Sequence, residues 1–62
     1  MNTIDITIAL TQEQALALAQ FLKRVGIDDY RSLAVDHDEA WLMRDAGERV
    51  REALREVGIA PR

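Results

Sequence analysis

The sequence predicts a small α+β domain, in the order one N-terminal strand, a helix, a short helix and a long C-terminal helix (βααα). Three observations carry that reading. Residues Thr3 to Leu10 alternate strictly between apolar and less apolar side chains, Thr11 to Gly26 repeat their apolar residues at three- and four-residue intervals, and Asp36 to Gly58 sustain the same helical period over about six turns.

The strand reads TIDITIAL, with Ile4, Ile6, Ile8 and Leu10 on one side and Thr3, Asp5, Thr7 and Ala9 on the other. A period of two with β-branched residues implies one buried face and one wet face. Such a strand needs a partner, and within the chain only Arg31 to Val35 or the tail could supply one. Otherwise its edge invites another chain, either a second copy in a homodimer through Thr3 to Leu10 or the sheet of a different protein.

The first helix begins at Thr11, an N-cap completed by Gln14 as a capping box, and its stripe is Ala15, Leu18, Phe21, Leu22 and Val25, with Leu16 off it. Gly26 is read as its stop, with Ile27 folding back on Leu22. From Asp28 to Val35 the chain reads DDYRSLAV; Asp28 could cap a short helix through Tyr30, Leu33 and Ala34, the alternative being an irregular loop.

The long helix has a capping box in Asp36 and Glu39, and Asp38 with Glu39 places negative charge where the helix dipole favours it. Met43, Ala46, Val50, Ala53, Leu54 and Val57 form the expected core stripe, with Leu42 at its edge. Arg44, Asp45, Glu48, Arg49, Arg51, Glu52, Arg55 and Glu56 make the solvated side, where a pair such as Asp45 with Arg49 contributes about 0.2–0.5 kcal/mol. Gly58 ends the helix in a left-handed conformation, Ile59 folds back on Leu54 and Pro61 prevents resumption. The segments Leu22 to Ile27 (LKRVGI) and Leu54 to Ile59 (LREVGI) are near copies, which shared stop chemistry explains without duplication.

At 62 residues the chain reads as one domain, 1–62, with room for one small core, and chains of this size bury only about 60% of their unfolded surface. It has no cysteine, nothing resembling a signal peptide and no apolar run near the roughly 20 residues of a membrane span, so a soluble protein of the host-cell cytoplasm is expected. The net charge of −3 disfavours direct nucleic-acid binding, which depends on basic side chains releasing counterions. The charge is uneven: between Asp28 and Glu39 there are five acids, Asp28, Asp29, Asp36, Asp38 and Glu39, against one base, Arg31.

No enzyme is expected. Ser32 is the sole serine, His37 the sole histidine, and cysteine is missing, so a nucleophile–base triad is not expected. The string Asp36-His37-Asp38-Glu39 looks metal-like, but neighbours on a helix point about 100° apart and cannot converge on one ion, so no metal and no cofactor are expected. The three glycines are too dispersed for a phosphate loop. Trp41 falls opposite the apolar stripe: either the segment through Tyr30 folds over it, or it is an aromatic anchor beside the acidic cluster, as at the centre of many protein interfaces. Asp36 and Glu39 read chiefly as caps, whereas Asp28, Asp29 and Asp38 are freer to meet a basic partner.

The stretch from Leu18 through Leu54, above all LAQFLKRVG and AVDHDEAWLMRDA, resembles a family of small uncharacterised proteins carried by phages and plasmids. By size and charge the chain is similar in kind to small acidic anti-CRISPR proteins. The resemblance implies an inhibitory protein-binding module that blocks a CRISPR-Cas effector subunit through a DNA-mimicking surface. Asp28, Asp29, Asp36, Asp38 and Glu39 would then stand in for phosphates, with Tyr30 and Trp41 adding apolar contact. The competing expectation is a dimeric DNA-binding regulator or antitoxin resembling a ribbon-helix-helix repressor. There Thr3, Asp5 and Thr7 would face the groove, and the second helix would fall on the DDYRSLA segment.

Overall fold

A computed structural model describes residues 2–61 and contains three helices: α1 (Gln12–Arg24), α2 (Ile27–Leu33) and α3 (His37–Glu56). The expected α+β class is therefore corrected to all-helical. Residues Thr3 to Leu10 have no regular secondary structure, and no strand forms among the described residues. The reason lies in what a strand is. Alternation supplies a side-chain pattern, but a ladder also requires a second run to bond with, and the candidate segment Arg31 to Val35 gives its first three residues to α2. The ribbon-helix-helix alternative needs that same strand.

The helix starts follow local chemistry closely. Thr11 Oγ1 accepts from the Gln14 amide at 3.1 Å while Gln14 Oε1 accepts from the Thr11 amide at 3.0 Å, the reciprocal box that opens α1. Asp36 accepts from the Glu39 amide at 2.8 Å to open α3, and Glu39 reaches back one residue further than expected, to the Val35 amide at 3.0 Å.

The two near-identical helix ends differ. Gly58 has φ +88°, Ile59 N–H donates to Leu54 O at 2.8 Å and Gly58 N–H donates to Arg55 O at 3.0 Å, a Schellman stop. Gly26 instead has φ −111° and serves as the N-cap of α2, its amide held by the Asp29 carboxylate at 2.8 Å. A carboxylate three residues on converts the glycine from the end of one helix into the start of the next; after Gly58 no such acid follows.

Both α1 and α2 pack on α3, and their backbones do not approach each other. The core sets small residues among leucines: Ala15, Ala19 and Leu22 of α1 meet Leu54, with Leu18 and Ile59 packed alongside, and Ala40 is fully buried. Small side chains allow close approach of helices. Ala19 therefore takes the place the sequence assigned to Phe21, which is pushed to the edge and left exposed.

The expected stripe of α3 is also corrected. Its covered flank runs through Ala40, Met43, Gly47, Arg51 and Leu54, all buried or half-buried. Leu42, Ala46, Val50, Ala53 and Val57 lie roughly 100° round the helix and are exposed. Two short helices cover one flank of α3 and no more. The molecule is correspondingly open, with a radius of gyration of 12.5 Å against about 10.5 Å for a compact chain of this length.

Candidate protein-binding site

The space between α1 and α2 is an open groove of about 670 Å³. Ala17, Gln20, Phe21, Arg24 and Val25 form the α1 side, and Asp29, Tyr30 and Leu33 the α2 side. Phe21 is 58% exposed and Leu33 80% exposed, large apolar surfaces for so small a chain. With Ala15, Ala19 and Leu22 against α3, Phe21 turns toward α2, which is too short to cover it.

Tyr30 fixes one wall. Its side chain crosses Gly47 of α3, where a Cβ would collide with the phenol oxygen and would also touch Leu22 Cδ2 at 3.4 Å. Glycine in a helix interior costs about 1 kcal/mol relative to alanine, so its place there calls for a packing reason. The close passage of Tyr30 is that reason. A glycine within an otherwise regular helical pattern is the sequence signal of such a close passage.

The structure separates the residues expected to form one acidic surface. Asp29 and Tyr30 line the groove, whereas Asp28, Asp36, Asp38, Glu39 and Trp41 do not. Most of the carboxylates have local partners. Asp28 forms an ion pair with Arg31 at 3.2 Å, Asp29 holds the Gly26 amide, Asp36 holds the Glu39 amide, and Glu39 holds the Val35 amide. Asp29 is thus a third capping acid, beyond the Asp36 and Glu39 that sequence assigned to that role. Asp38 is exposed and makes no hydrogen bond or ion pair among the described residues.

Trp41 is 42% exposed, while the Tyr30 phenol oxygen lies over Gly47. Its indole N–H donates to His37 Nε2 at 3.1 Å, the two rings meet edge-on at 6.2 Å, and the Arg44 guanidinium lies 6.0 Å from the indole ring. One turn of helix on either side holds it, a self-contained stack on α3. The hydroxyl of Ser32 donates to the Asp29 carbonyl oxygen at 2.7 Å, so the one serine and the one histidine have separate partners. Among the described residues no group of three or more metal-binding side chains converges, and no helix is long and apolar enough to cross a membrane.

The groove is mostly apolar, with one acid, Asp29, and one base, Arg24, in its lining. Residues 1–62 match the profile of a family of unknown function (DUF7706) over the whole length of the chain. The chain belongs to that family. The match supports the resemblance to a family of uncharacterised proteins, and nothing in it indicates phage origin or similarity to anti-CRISPR proteins. No curated protein and no solved structure matches the chain.

Proposed function

We propose that this chain is a non-catalytic protein-binding module whose α1–α2 groove receives a segment of another protein that is apolar on one side and basic at its edge. The observation that carries the proposal is the groove itself, about 670 Å³ with Phe21 and Leu33 exposed in its walls and the acidic start of α2 beside it. Exposed large apolar side chains grouped around a concavity mark binding surfaces more often than solvated ones. Asp28 and Asp29 stand side by side in the first turn of α2, an acidic edge that favours a Lys- or Arg-bearing ligand. A CRISPR effector with a basic channel is the narrowest form of this proposal, supported by size and acidic charge alone.

The test is selection of peptides from a displayed library against the folded protein, followed by mapping of the winners by NMR. Selected peptides should combine an apolar anchor with Lys or Arg, perturb Phe21 and Leu33, and bind Leu33→Ser at least about tenfold more weakly. Peptides that perturb other surfaces, or that bind L33S equally well, would show that the groove is not the site.

A further inference from the structure

The exposed flank of α3 shares no residue with the groove and carries a pattern of its own. Ala46, Val50, Ala53 and Val57 follow one another at intervals of four, three and four, the spacing of a helix–helix seam. Val57 is 74% exposed, and Ile8 and Leu10 border an open cleft of about 280 Å³ along Val50, Ala53 and Val57. Beside the seam, Leu42, Arg49 and Glu56 recur every seven residues. Arg31, Arg44, Arg51 and Arg55 each form an ion pair with an acid of their own helix. Arg49 and Glu56 have no such partner among the described residues.

We propose that a second copy of this chain covers this flank, its α3 running antiparallel to the first. One register places Ala46 against Val57 of the copy and Val50 against Ala53 of the copy, so every layer sets a large side chain against a small one. That register also brings Arg49 to Glu56 of the copy, twice by symmetry. The surface area leaves room for such a partner: the chain exposes 5387 Å² where a compact protein of this mass exposes about 4,000 Å², an excess this flank shares with the exposed residues 2–10. The excess is larger than the roughly 800 Å² that each partner contributes to a standard interface. A self-complementary patch is what a two-fold dimer requires. The N-terminal segment is a poorer cover, because its only charge from residue 2 to 11 is Asp5 and it cannot answer both Arg49 and Glu56.

Sedimentation equilibrium over a concentration series tests this with charge reversals at two exposed positions. The protein should dimerise, and R49E and E56R, each helical by circular dichroism, should each self-associate about tenfold or more weakly. The double variant R49E/E56R and an equimolar mixture of the two single variants should both recover dimer, because each restores opposite charges across the seam. A chain that stays at 7.0 kDa throughout would overturn the proposal. So would single variants that dimerise as the parent does, a mixture that fails to recover, or a dimer lost on Ile4→Ser and Ile6→Ser but indifferent to the charge reversals.

Discussion

The two apolar flanks of α3 lie on one helix, and the chain treats them differently. Ala40, Met43, Gly47 and Leu54 face α1 and α2, whereas Ala46, Val50, Ala53 and Val57 face outward. The covered flank includes a glycine, crossed by Tyr30, and a fully buried alanine. Close approach decides which flank is covered, because only small residues let Tyr30 and α1 lie against the helix. Hydrophobic periodicity therefore reports what a helix must bury in total, and it does not say how much its own chain will cover.

The sharpest contrast comes from truncating one residue on each flank. Leu54→Ala should cost about 2–3 kcal/mol and, in a core of five buried residues, leave little cooperative unfolding in a thermal melt. Val57→Ala, at a position 74% exposed, should shift the melting of the monomer by less than about 0.5 kcal/mol while weakening self-association. Equal losses at the two positions would dissolve the comparison.

Gly47→Ala probes why the covered flank is covered. Alanine raises intrinsic helix propensity by about 1 kcal/mol, yet its Cβ would displace Tyr30 at a cost of about 1–3 kcal/mol. A net loss of about 1 kcal/mol is expected in urea unfolding, together with a changed near-ultraviolet signal from Tyr30. A gain in stability would mean that Tyr30 moves aside freely. Asp36→Ala should cost about 1 kcal/mol through the lost cap of α3, without altering either flank. His37→Ala is the smallest change: Trp41 fluorescence should shift as its indole N–H loses its acceptor, with stability altered by less than about 0.5 kcal/mol.

Much of the helical framework was legible in the residues because caps act over three or four positions. Thr11 with Gln14 forms both bonds of its box, Asp36 accepts from the Glu39 amide as its spacing requires, and Gly58 with Ile59 closes α3. What depended on tertiary choice was not legible. Ile4, Ile6 and Ile8 alternate as a strand would, but pairing is a property of two segments, and Ile4 is left 87% exposed. Gly26 carried the same local string as Gly58 and took the opposite role, because Asp29 captured its amide. In the site, Asp29 and Tyr30 of the expected acidic surface border the groove, while Phe21 was hidden in the apolar stripe of α1 and Leu33 within the short helix. Nothing in helical period alone distinguishes a core phenylalanine from one displaced by two alanines.

The central claim is that the bare flank of α3 is a seam for a second copy, and the most direct measurement is an isotope-filtered NMR experiment on a mixture of labelled and unlabelled protein. Ala46 and Val57 lie about 16 Å apart along one helix, too far for a cross-peak within a chain. The account expects intermolecular cross-peaks between the Ala46 and Val57 methyl groups. Intermolecular cross-peaks confined to Ile4 and Ile6, or to Phe21 and Leu33, with none at Ala46, would contradict it.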